Sequence, residues 1–153
     1  MNYKNIVIAI DDSDTSRHAL DEAIQLCRAL KAELHVLHIV DETVFNQVDG
    51  YVEFEGLWDA YKSSGQALLD KAKLVLESAA IPFTTQLIEL KPYSERLSEK
   101  IISEARALSA DLLIIGTHGR RGFSRFFLGS VAENVVRIAS LPVMLVRGTS
   151  QPK

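Results

Sequence analysis

Only one cysteine, Cys27, stands among 153 residues, so no internal disulfide can staple the fold. A reducing, cytoplasmic setting is the expectation that follows. Long apolar runs are missing too. The stretch 6–10 holds five apolar residues before Asp11 and Asp12, too short for the core of a signal peptide. Nothing approaches the ~18 consecutive apolar residues of a membrane span, so no membrane role is expected. Nor is there an excess of positive charge: 17 Lys and Arg against 20 Asp and Glu leave −3. That balance argues against a general nucleic-acid or anionic-membrane binder. Two phosphate signatures are also absent. No GxxxxGK[ST] occurs and no GxGxxG follows the first apolar run, so the lysine that P-loop hydrolases place on the transferred phosphate is lacking.

What is present suits one globular domain with a full core, 47% apolar and 24% charged. Short apolar or β-branched runs at 5–10, 33–40, 83–90, 111–116 and 142–147 predict five strands. The first, fourth and fifth show no alternation, as expected of parallel strands covered on both faces. Between them, apolar residues recur at helical spacing: Ala19, Leu20, Ala23, Ile24, Cys27 and Leu30; Leu68, Ala72, Val75 and Ala79; Leu97, Ile101, Ala105 and Leu108; Val131, Val135 and Ile138. Strand then helix, repeated, predicts an α/β fold with right-handed crossovers and a parallel sheet. The connection 41–56 is long for such a fold, and Val44, Phe45, Tyr51 and Phe54 suggest a loop that packs on something.

Four of the eight glycines and Arg120, Arg121 and Arg125 crowd into 116–130, between an apolar run and a helical pattern. Gly116 ends a strand, Gly119 and Gly122 follow at steps of three, and Gly129 precedes Ser130. Glycine permits positive φ and lets a ligand reach main-chain N–H groups. Ser130 with Glu133 three residues on predicts a capping box, and the first turn of that helix would offer bare amides and the positive dipole end to an anion. Three charge-assisted bonds at ~1.5–3 kcal/mol each, with ~0.3–1 from the dipole, face an association cost of at least ~4 kcal/mol. A nucleotide held there would need its base end gripped as well. The plainer reading is a strand end, a turn and a helix cap.

Other residues leave alternatives. Asp11 and Asp12 could be catalytic or metal-linked carboxylates, or could belong to the capped start of a helix with Ser13 or Asp14 as N-cap. His35 and His38 point to opposite faces of one strand and cannot share a metal. His118 could touch a phosphate or stabilise a turn, and Cys27 packs on an apolar helix face. The three arginines could screen phosphate or recruit a partner, and Phe123, Phe126 and Phe127 could pin the loop or meet a second subunit. Pro142 opens a last apolar strand that reads as a sheet edge, which invites pairing with another chain.

Gly116-x-x-Gly119, nine residues, then Gly129-Ser130 resembles the G-x2-G-x9-G-[ST] pattern of the ATP-binding universal stress proteins. The likeness runs end to end, through "IVIAIDDSDTSRHAL", "LHVLHIVDE" and "GSVAENVVRIASLPVMLV". It implies an open five-stranded parallel sheet of order 3-2-1-4-5 with helices on both faces, Rossmann-like, in one nucleotide-binding domain over 1–148 with a tail at 149–153. It implies ATP, with Mg²⁺ arriving on its phosphates, at the strand ends. Gly116, Thr117, Gly119, Gly129, Ser130 and Val131 would surround phosphates and ribose, with Ile115 beside the sugar. Asp11 would bond the ribose or adenine side, Ile39 would offer main-chain groups to the adenine edge, and Ala9 and Ile10 would line the floor. Ala132 departs from the hydroxyl residue often found there, which implies one missing phosphate contact. The resemblance also implies a homodimer paired through 142–147. The function implied is that of a nucleotide-dependent stress-response regulator acting on an unidentified protein partner. Two other readings remain: a slow ATP hydrolase or an enzyme phosphorylating itself at Ser130, and a homodimeric scaffold that binds no nucleotide.

Overall fold

The computed structural model describes residues 2–43, 54–118 and 128–148. Its elements run β1 (Asn5–Ala9), α1 (Asp14–Leu30), β2 (Glu33–Asp41), α2 (Phe54–Ala79), β3 (Phe83–Leu90), α3 (Leu97–Ala107), β4 (Leu112–Gly116), α4 (Ser130–Ile138) and β5 (Val143–Val146). The strands form one sheet of order β3-β2-β1-β4-β5 in which every pairing is parallel. Strand order therefore reverses between β1 and β4, and Ala9 pairs with both Leu37 and Ile115. The alternation read from the sequence holds, with strand ends moved by a residue at most.

The lack of polar alternation in the central strands has its cause in two cores. Ile6, Ile8, Leu34, Val36 and Ile114 face α1 and α2; Val7, Leu37, Leu113 and Ile115 face α3 and α4. A parallel sheet buried on both faces needs apolar residues at every position. Cys27 lies in the first core, where burial raises its thiol pKa to about 11 and keeps it protonated.

Two helical faces differ from the predicted ones. On α2 the buried residues are Leu69, Ala72 and Leu76, while Val75 is exposed. Gly65 sets that phase: a Cβ there would stand 2.8 Å from Val40 Cγ1 and 3.0 Å from His38 Cδ2, so the helix touches β2 where it has no side chain. On α4, Val135 is buried but Ile138 is exposed.

Asp111, just before β4, accepts hydrogen bonds from the N–H groups of Lys4 and Asn5 at 2.7 and 2.8 Å, which tie down the start of β1. Those bonds favour the ionised form and hold its pKa below the usual carboxylate value. A depressed folded-state pKa means stabilisation that is present above the unfolded value near ~3.9 and lost as pH falls through the lower folded value. Asp111→Ala should therefore cost about 1–2 kcal/mol at neutral pH, the usual strength of charged hydrogen bonds discounted for solvent screening. The deficit, read from urea midpoints, should shrink as the pH falls below the ordinary carboxylate value and through the lower folded one.

Candidate functional site

β1 ends where α1 must begin, and the turn between them is held by short polar side chains. Ser13 is the N-cap, its Oγ accepting from Ser16 N–H at 3.1 Å. Asp11 N–H donates to Ser16 Oγ at 2.8 Å, and Asp11 Oδ1 accepts from Ser13 N–H at 2.9 Å. Of the two caps considered, Ser13 is the one formed. The Asp11 carboxylate is thereby fixed half-buried at the strand end, with one oxygen occupied by the turn.

Across the reversal point lies the β4–α4 junction. Thr117 N–H donates to Val146 O at 2.9 Å, and Gly129 N–H donates to Thr117 O at 2.7 Å. The second bond closes the base of the segment between β4 and α4. The N-cap of α4 is Gly129, with no side-chain cap; Ser130 is the first helical residue. The predicted capping box at Ser130 is therefore corrected. Its physical reason is the Thr117 carbonyl, which captures the Gly129 amide and sets that residue at φ −59 and ψ 151, while Gly129 O accepts from Glu133 N–H at 2.9 Å. Glu133 pairs instead with Arg137 at 2.9 Å. The amides of Ser130, Val131 and Ala132 consequently have no intrahelical partner, the usual state of a first turn.

The two described motif glycines owe their identity to crowding. A Cβ on Gly129 would stand 3.0 Å from Thr117 O. On Gly116 it would stand 2.9 Å from Thr15 Cγ2. Gly129 does not have the positive φ that would by itself require glycine.

Ala9, Ile10, Asp11, Ile115, Gly116, Thr117, Gly129, Ser130 and Val131 all stand at this end of β1, β4 and α4, whereas Ile39 is near the end of neighbouring β2. The Ile39 and Ile115 side chains belong to the α3/α4 core, so main-chain atoms are what they can offer. Thr117 is buried, with Oγ1 hydrogen-bonded to His118 Nδ1 at 2.9 Å. Gly119, Arg120, Arg121, Gly122, Phe123, Arg125, Phe126 and Phe127 lie outside the described residues, as do most of 41–56 and the tail 149–153.

The two strand histidines are both buried. His35 Nδ1 meets Thr84 Oγ1 at 2.8 Å, and His38 Nδ1–H donates to the Ile10 carbonyl at 2.8 Å, a bond that fixes its ring. His38 lines a pocket of about 270 Å³ with Asp12, Tyr61, Ser64, Gly65 and Leu68, on the α1/α2 side of the sheet. Among the described residues, no His, Cys, Asp and Glu side chains group to hold a metal. No helix there is long and apolar enough to cross a membrane. Thr15, Ser16 and the Val146 carbonyl escaped the sequence reading. Nothing in their order along the chain signals them, because their contacts exist only once α1, β4 and β5 converge.

The sequence profile of the universal stress protein family matches residues 2–147. A universal stress protein of Methanocaldococcus jannaschii is 34% identical over 145 residues, covering 95% of this chain and 82% of its own. A solved protein of the family from Burkholderia pseudomallei superposes with a TM-score of 0.76 at 30% identity, over 94% of this chain and 96% of that one. A universal stress protein from Archaeoglobus fulgidus, in complex with dAMP, shares the fold with a TM-score of 0.65 at 23% identity, over 95% and 99% of the two chains. With the parallel sheet, its reversal point and the match along nearly its whole length, the chain belongs to the universal stress protein family.

Proposed function

We propose that this protein binds an adenine nucleotide, ATP with Mg²⁺, in the crevice between the β1–α1 turn and the β4–α4 junction, and acts as a nucleotide-dependent stress-response regulator. One observation carries the reading: a fixed carboxylate and an uncapped helix N-terminus flank the point where strand order reverses. Ligands of open parallel sheets bind at such points. The bare first-turn amides of α4 suit phosphate oxygens, and Asp11 suits a ribose hydroxyl or an amino group of the base. Mg²⁺ would be held by the phosphates and keep its waters, since the described residues offer no carboxylate cluster for it. The relative in complex with dAMP supports an adenine nucleotide as the ligand class.

β5 supports a homodimer. It is a sheet edge, Leu145 on it is exposed, and Val136 and Ile138 of α4 are exposed as well. Pairing of 142–147 with a second copy would cover an edge that invites association. Calorimetric titration of ligand-stripped protein with ATP and Mg²⁺ is expected to give saturable binding, with a dimer by analytical ultracentrifugation at micromolar concentration. No heat up to millimolar nucleotide would remove the nucleotide reading; a monomer would remove the dimer.

A further inference from the structure

We infer that Thr15 is a positioning residue for the nucleotide crevice: its methyl group is the spacer that sets the β4–α4 junction against the Asp11 turn. The inference rests on the nucleotide reading above and assigns a role to a residue outside the glycine pattern. Thr15 lies in the first turn of α1, next to Ser16, whose hydroxyl holds the Asp11 amide at 2.8 Å. Its Cγ2 faces Gly116 so closely that a Cβ there would come within 2.9 Å, and its Oγ1 faces Gly148, where a Cβ would come within 2.8 Å. The residue after Gly116 ties the two strand ends together, Thr117 N–H donating to Val146 O at 2.9 Å. One side chain thus touches both the last residue of β4 and the chain leaving β5, while its helix turn fixes Asp11.

The geometry separates this from simple packing. After Thr15 Cγ2, the nearest atoms to a Cβ at position 116 are the Thr15 carbonyl carbon at 3.6 Å and His118 O at 3.7 Å, both ordinary contacts. Only the threonine methyl excludes a side chain there. Gly116→Ala should push the junction away from α1 and widen the crevice. A polyphosphate spanning both sides would lose contacts, whereas a ligand held mainly on the Asp11 side would not. Thr15→Ser removes the methyl, keeps the hydroxyl toward Gly148, and makes room for alanine.

The test is a double-variant cycle read by calorimetric titration with two probes, Mg²⁺-ATP and adenosine, in variants checked as folded by circular dichroism. Gly116→Ala is expected to weaken ATP about tenfold and adenosine by less than about twofold. The Thr15→Ser/Gly116→Ala double variant should return to within about threefold of the wild-type ATP affinity. A merely destabilised protein would lose both ligands together, so it is the split between ATP and adenosine that marks positioning. Unchanged ATP binding in Gly116→Ala, or no recovery in the double variant, overturns the inference. Should Gly116→Ala fail to fold, the double variant decides: it must fold and bind ATP at near wild-type strength, and failure in either respect is equally fatal. Wild-type protein that takes up neither probe would remove the nucleotide reading itself, an outcome distinct from a wild type that binds while the double variant stays weak.

Discussion

Replacing Leu76 with alanine is expected to lower the unfolding free energy by about 2–5 kcal/mol. Val75→Ala, one residue away, should change it by less than about 1 kcal/mol. The contrast follows from a rotation of about 100° around α2. Leu76 is 0% exposed and belongs to the core shared by α1, α2 and the sheet; Val75 is 44% exposed. Truncating Leu76 leaves a void in a layer whose neighbours, Leu69, Ala72 and the strand residues, cannot all move in to fill it. Truncating Val75 returns part of an already wet side chain to water. For a chain of this size each kcal/mol shifts the melting temperature by roughly 2–4 °C, so Leu76→Ala should melt about 4–20 °C lower while Val75→Ala stays near the wild type. Equal losses at the two positions would mean that α2 is seated with a different face on the sheet.

That pair of residues also shows what the sequence could and could not say. Leu68, Ala72, Val75 and Ala79 satisfy helical spacing as well as Leu69, Ala72 and Leu76 do, so periodicity establishes the helix without choosing its phase. The choice is made at Gly65, where α2 touches Val40 and His38, a contact between residues 25 or more apart in the chain. The central strands were easier. Ile6 to Ala9 and Leu112 to Ile115 are apolar on both faces, as a doubly covered parallel sheet requires. The strand order came from the resemblance, since alternation alone fixes no neighbours. Within the site, Asp11 and the β4–α4 junction were legible as a carboxylate at a strand end and a cluster of glycines before a helix. The N-cap was not: the capping-box rule sees Ser130 and Glu133, but the Thr117 carbonyl that captures Gly129 arrives from twelve residues away. Thr15 was invisible for the same reason, its two glycine neighbours lying on β4 and beyond β5.

Gly129→Val should weaken ATP about 100-fold while leaving adenosine nearly untouched, the loss expected when one or two charge-assisted phosphate bonds fail. Even a single Cβ at this position would stand 3.0 Å from Thr117 O and 3.6 Å from His118 Cα, and valine adds two methyls beyond it. The obstacle is backbone, already tied to Gly129 N–H at 2.7 Å, so it cannot swing aside as a flexible side chain would. Either that bond breaks or the start of α4 moves, and in both cases the amides of Ser130, Val131 and Ala132 lose their aim. Asp11→Ala should behave differently. On the proposed reading it removes the group that would bond the sugar or base, so ATP, ADP and adenosine should all weaken by about tenfold, with no dependence on phosphate number. The two variants thus predict opposite patterns across one ligand series, measurable by calorimetry on protein whose circular dichroism is unchanged. A folded Gly129→Val protein that still binds ATP as the wild type does would detach the helix N-terminus from the phosphates. The same result with Asp11→Ala would detach the carboxylate from the nucleoside, and a crevice with neither attachment is not a nucleotide site.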